Sequence, residues 1–147
     1  MRYNLSGKFN TSFGDYKKPY FPEIEMLYFS KKLKKAKLTS VDFSKIMTTA
    51  KKGDVIYCDP PYVPLSLTAK FTSYHSTGFG LAQQEQLVEL AKELSSKGIP
   101  VVISNHDTEF VQNLYCDAQI HSFSVQRFIS SKANNRKKAK EILAVFD

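Results

Sequence analysis

Asp54-Val55-Ile56-Tyr57-Cys58-Asp59-Pro60-Pro61-Tyr62 is the stretch on which the fold turns. Asp54 to Cys58 holds a continuous apolar run of strand length, the pattern of a strand buried on both faces of a parallel sheet. Two prolines follow almost at once. They neither extend a hydrogen-bonded ladder nor enter a helix interior, so the chain leaves the strand in a rigid loop. In an open α/β sheet, ligands gather beyond the carboxyl ends of the strands, and Asp59 to Tyr62 fall there.

The flanking segments repeat the alternation of strand and helix. On the N-terminal side, Lys37 to Val41 reads as a short strand, and Asp42 can cap a helix running to about Ala50. Before that, Ile24, Leu27, Tyr28 and Leu33 recur near helical spacing, with Pro22 suited to the first turn and the lysines 31, 32, 34 and 35 to the last. Arg2 to Phe21 shows no clear period and reads as loops and short hairpin strands turning at Gly7 and Gly14.

On the C-terminal side, Leu81 to Ser96 is amphipathic, with Leu87, Leu90, Ala91 and Leu94 on one face and Gly98 as its stop. Ile99 to Ser104 is a second buried strand, and Thr108 to Tyr115 a helix capped by Asp107. Ile120 to Gln126 and Ile142 to Phe146 alternate like closing antiparallel strands. The expectation is an α/β fold, with its chemistry just after Val41, Cys58 and Ser104. Val63 to Phe79 is long for a connection in a compact domain, and its position after the loop favours a lid.

The loop carries a specific chemistry. The Asp59 carboxylate and the Pro60 carbonyl are two acceptors expected to face outward, and Tyr62 adds a flat aromatic ring. An exocyclic amine such as adenine N6 has two N–H donors and a lone pair delocalised into its ring. Two acceptors set against those hydrogens draw the nitrogen toward tetrahedral geometry and free the lone pair, while the aromatic ring stacks on the base. A paired base cannot present its amine in this way, so it must be flipped out of the duplex.

Charge agrees with such a substrate: 21 basic against 14 acidic residues give +7, which favours an acidic partner, with nucleic acid first and an anionic membrane a distant second. No run approaches the length of a transmembrane helix, and no secretory leader is visible. Cys58 and Cys116 form no CxxC pair and read as reduced thiols of a cytoplasmic protein. His75 and His106 lack partners at ligand spacing, so no metal is expected, and both read as structural. A cysteine nucleophile serves methylation of a ring carbon, whereas the Asp59 loop points to an exocyclic nitrogen.

Several motifs in order resemble the Dam-type DNA adenine N6-methyltransferases: residues 2–10 (Arg2-Tyr3-Asn4-Leu5-Ser6-Gly7-Lys8-Phe9-Asn10), 16–22, 55–62, 71–75, 103–108, and the closing 129–131 and 135–138. The resemblance implies a Rossmann-like sheet dependent on S-adenosyl-L-methionine. Asp59, Pro60 and Tyr62 would be catalytic, Asp59 also lying near the methionine end of the cofactor. Asp42 and Phe43 match the pair that holds the cofactor's adenine, although a helix cap and a core ring account for them equally. Arg2 looks like the family's guanine-reading arginine, a fork suited to O6 and N7. Asn4, Lys17, Lys18, Arg136 and Lys137 join it as candidate contacts to double-stranded DNA, with GATC the expected target. Ser12 and Asp15 depart from the family's pattern in the recognition region.

In this family a Gly-rich cofactor loop precedes the portion seen here. The expectation is therefore a partial sheet: residues 1–22 the end of a target-recognition region, and residues 23–147 the C-terminal part of the catalytic domain. Its partner would be the missing N-terminal half or a second copy. Two alternatives stand beside adenine methylation: a catalytically silent fragment that binds DNA or a partner half, and a cytosine N4 methyltransferase using a similar acceptor loop.

Overall fold

The computed structural model describes residues 6–8, 20–65, 79–126 and 138–147. The chain divides into two compact units, residues 1–40 and 41–147.

In the first unit, α1 (Glu23–Leu33) begins after Pro22 and carries Glu23 and Glu25 in its first turn and Lys31 and Lys32 in its last, each charge complementing the adjacent end of the helix dipole. The Lys32 ammonium lies 5.2 Å from the centre of the Tyr28 ring. None of the helix's residues is buried. The two strand-and-turn features expected between Arg2 and Phe21 fall almost wholly outside the described residues.

The second unit is built on a four-stranded mixed sheet. Its elements are α2 (Phe43–Met47), β1 (Ile56–Cys58), α3 (Leu81–Ser96), β2 (Val101–His106), α4 (Glu109–Leu114), β3 (Gln119–Gln126) and β4 (Lys138–Phe146). The strand order is β1-β2-β4-β3. β1 runs parallel to β2, with Ile56 opposite Val101 and Cys58 opposite Ile103. β4 lies antiparallel to both its neighbours, β2 and β3.

α3 takes its place because Gln84, Leu87, Val88, Ala91 and Leu94 form one buried stripe at helical spacing. It packs on α2, β2 and β4. The Gln83 side chain accepts from the Gly80 N–H at its start (2.8 Å). At its end Gly98 takes a left-handed φ of 73°, which lets Ile99 N–H return to the Leu94 carbonyl at 3.0 Å. Met47, Leu87, Val101, Ile103, Val111, Tyr115, Ile142, Ala144 and Phe146 meet in the core.

The α/β class, α3 and the closing antiparallel pair agree with the sequence reading, and four local expectations do not. Lys37 to Val41 forms no strand; no described strand pairs with it, and Leu38 and Val41 are exposed. The strand after Asp54 has three residues rather than five and is not buried on both faces. Val55 is 70% and Tyr57 63% exposed: at alternate positions they share one face, while Ile56 and Cys58 turn to the other and pack on the core. The helix capped by Asp42 stops at Met47, short of Ala50. The cap of α4 is Thr108, whose side chain accepts from Val111 N–H, rather than Asp107.

Candidate active site

The parallel register of β1 and β2 makes the site. With Cys58 opposite Ile103, the residues that follow, Asp59 and Ser104, come side by side. Ser104 Oγ donates to Asp59 Oδ1 at 2.8 Å and lies 3.3 Å from the Cys58 carbonyl oxygen. Ser104 is buried, whereas Asp59 is exposed. Pro60 is buried, and its carbonyl accepts no hydrogen bond among the described residues.

A polar network lies behind the loop. Asn105 is fully buried, and its Oδ1 accepts from the backbone N–H of Val63 and of His106, both at 2.9 Å. Its Nδ2 donates to the Tyr115 hydroxyl at 3.0 Å and faces Gln84 Oε1 at 3.4 Å. The Tyr115 hydroxyl donates to the same Gln84 oxygen at 3.2 Å. Gln84 Nε2 then reaches the Pro61 carbonyl at 2.8 Å. His106 Nδ1 is 2.7 Å from the Val63 carbonyl. A carbonyl only accepts, so the ring proton is assigned to Nδ1. The Tyr62 and His106 rings meet edge to face, 5.0 Å between centres at 84°.

Electrostatics follow burial. Desolvation raises the Tyr62 phenol above its ordinary value, while the nearby Ser104 hydroxyl pulls the other way. Burial pushes the Cys58 thiol up from 9.0 to about 11, which keeps it from serving as a thiolate nucleophile at neutral pH. The Tyr115 hydroxyl rises to about 12, again mainly by burial, with the Asn105 hydrogen bond opposing the shift.

Asp42 caps α2: its Oδ1 accepts from Ser44 N–H at 3.0 Å and from the Ser44 hydroxyl, bonds that lower its pKa. Phe43 is half-buried, its ring 5.6 Å from that of Phe79 and packed against the core. Beyond the proline loop, Val63, Pro64, Leu65, Thr108, Glu109, Phe110 and Asn113 line an open cavity of about 470 Å³.

The structure therefore brings Asp59, Pro60 and Tyr62 together with Ser104 and Asn105, and sets Asp42 and Phe43 at the start of α2. Arg2, Asn4, Lys17, Lys18, Arg136 and Lys137 lie outside the described residues, as do residues 66–78 of the expected lid. Gln84 and Tyr115 were not singled out from the sequence, and Ser104 and Asn105 were named only within the motif at residues 103–108, without a role in the site. The available signal was a run of three polar residues, Ser104-Asn105-His106, closing an otherwise apolar strand.

Residues 1–129 match the family of D12 class N6 adenine-specific DNA methyltransferases, and the chain belongs to that family. Among its relatives are the DNA adenine methylases of Salmonella typhi, 49% identical over 145 residues, Escherichia coli strain K12, 48% identical over 145 residues, and Vibrio cholerae, 46% identical over 146 residues. Each match covers 99% of this chain but only 52–53% of the relative. The chain thus spans about half the length of the curated relatives it matches.

Proposed function

We propose that this chain is the portion of a site-specific DNA methyltransferase that carries the methyl acceptor site, acting on adenine N6 in duplex DNA, in GATC, in the cytoplasm. The observation that carries this reading is the Asp59–Tyr62 loop at the ends of two parallel strands, with its carboxylate hydrogen-bonded to Ser104. The Asp59 carboxylate and the Pro60 carbonyl accept from the two N6 hydrogens, and the Tyr62 ring stacks on the flipped base. Once N6 has taken the methyl group it must lose a proton, and the Asp59 carboxylate is the acceptor at hand.

S-adenosyl-L-methionine supplies an electrophilic methyl group on a sulfonium, a chemistry that needs neither a metal nor a covalent nucleophile. The residues present fit that group: an exposed carboxylate at Asp59, and the Asp42 oxygen beside the half-buried Phe43 ring. They would hold its methionine and adenine ends respectively. Arg2, Asn4, Lys17, Lys18, Arg136 and Lys137 contact the DNA. Residues 1–22 belong to a target-recognition region and residues 23–147 to a Rossmann-like catalytic domain.

A second reading has its own support. The chain spans only about half of its relatives, and β1 ends the sheet with Val55 and Tyr57 exposed. On this reading the chain alone is silent and binds DNA or a complementary half. One experiment tests the site, and product formed by the chain alone would remove the second reading. The chain is incubated with S-adenosyl-L-methionine and a GATC duplex, alone and with the remaining portion of a relative supplied separately. N6-methyladenine formed in either mixture and lost with Asp59→Ala supports methyl transfer by this site. N4-methylcytosine, or no product in both mixtures, removes it.

A further inference from the structure

Tyr62 sits in a proline loop, yet both of its flanking peptide planes are held by side chains from elsewhere in the fold. The Pro61 carbonyl belongs to the plane before it and accepts from Gln84 on α3. The Val63 N–H belongs to the plane after it and donates to Asn105 on β2. Since peptide planes are rigid, a hydrogen bond on each restrains both backbone dihedrals of Tyr62. The His106 ring, anchored on the Val63 carbonyl, then backs the Tyr62 ring edge to face.

We infer that Gln84 and Asn105 are positioning residues that set the pose of the Tyr62 ring, and that Ser104 does the same for the Asp59 carboxylate. This rests on the adenine-methyltransferase reading for its purpose, but not for its geometry.

Gln84 makes the argument sharpest. It occupies a core position on a stripe otherwise filled by Leu87, Val88, Ala91 and Leu94. A polar group there costs stability unless it is hydrogen-bonded, and an apolar side chain of similar volume would serve packing at least as well. Asn105 and Tyr115 also bond to each other without it. Beside the bonds that its Oε1 accepts from Tyr115 and Asn105, Gln84 contributes its bond to the Pro61 carbonyl, and with it the restrained plane before Tyr62. Ser104 shows the same economy: the hydroxyl adds little volume to a strand interior but engages one named oxygen of Asp59.

Two variants and two readouts test the inference. In the whole chain labelled with fluorotyrosine, the Tyr62 resonance is assigned among the eight tyrosines by its loss in Tyr62→Phe. Gln84→Met should broaden or split that resonance while the circular dichroism spectrum stays that of the parent. A sharp, unmoved Tyr62 signal in Gln84→Met overturns the positioning role, whatever the chain does to DNA. In the preparation that methylates duplex DNA, Gln84→Met and Ser104→Ala should lower kcat about 10–100-fold, because small displacements at a reacting centre cost rates of that order. KM for S-adenosyl-L-methionine should stay within about threefold, and Ser104→Thr should restore most of the loss. An unchanged kcat, or equal damage from Ser104→Thr, overturns the role of Ser104. If the parent methylates nothing, the function reading fails, and the Tyr62 resonance still decides the geometry.

Discussion

Ser104 Oγ donates to Asp59 Oδ1 across 2.8 Å, joining the first residue beyond one strand to the fourth residue of its parallel neighbour. The contact depends on register: a shift of one residue between β1 and β2 would turn Ser104 to the other face of the sheet and leave the carboxylate without it. The position of the proposed acceptor is therefore written into the pairing of the two strands.

Asp59→Ala should abolish most methyl transfer without harming the fold. Asp59 is exposed, so its loss opens no cavity, whereas removing a preorganised group at a reacting centre costs about 10²–10³ in rate. N6-methyladenine formation in the methylating preparation, beside a circular dichroism spectrum matching the parent, is the expected pair of results. A rate close to the parent's would take Asp59 out of the chemistry.

Tyr115→Phe tests the network from its far end. The hydroxyl accepts from Asn105 and donates to Gln84, and deleting it leaves buried partners short of a hydrogen bond. The expected loss is about 1–3 kcal/mol in urea denaturation. A variant as stable as the parent would mean that Asn105 and Gln84 close the gap by themselves.

Stability should fall in alkali, and the sign is settled by burial. Both Cys58 and Tyr115 have raised pKa values in the folded chain, to about 11 and about 12 from 9.0 and 10.0. The unfolded chain therefore loses these protons first. Their contribution to stability is whole below pH 9.0 and drains away as pH rises through 9.0 to about 11 for Cys58 and 10.0 to about 12 for Tyr115. Cys58→Ala should flatten the earlier part of this decline in denaturation curves recorded across that range. The same burial predicts that iodoacetamide modifies the exposed Cys116 well before Cys58, as peptide mapping over a time course would reveal.

DNA binding should be steeply salt-dependent. If Lys17, Lys18, Arg136 and Lys137 each neutralise one phosphate, affinity should fall roughly 10²-fold between about 50 and 200 mM salt. Charge-neutral substitution of any one should reduce the slope of log affinity against log salt by about one. A slope that ignores all four would move the DNA site elsewhere on the protein.

The parts of the fold legible from sequence were those governed by local pattern. α3 declares itself through Leu87, Leu90, Ala91 and Leu94 and through Gly98, and β3 and β4 through alternation. What could not be read depended on neighbours distant in sequence. The apolar run at Val55 to Cys58 does not say which of its faces will be covered: Ile56 and Cys58 pack on the core, whereas Val55 and Tyr57 stay exposed. Lys37 to Val41 has strand composition but no described strand beside it. Asp107 and Thr108 are both good caps, and one residue of register decided between them. In the site, Asp59, Pro60 and Tyr62 were marked by their own chemistry. Asn105 was hidden because its partners Val63 and Tyr115 lie 42 residues before it and 10 after it. Gln84 was hidden because one polar residue in an apolar stripe carries no pattern of its own.

The place of β4 in the sheet sets an order of events during synthesis. β4 follows β3 in sequence yet lies between β2 and β3 among the described strands, so β3 leaves the ribosome before its described partner. Among the described residues, β2 meanwhile has the three residues of β1 beside it. Ser104 and Asn105 sit on β2 opposite Leu143 and Ile142, so the region bearing the proposed catalytic loop cannot consolidate until residues 138–146 have emerged. A chain broken off near residue 130 would retain every residue of that loop and yet leave β2 and β3 without the strand that each pairs with here, an open invitation to aggregate.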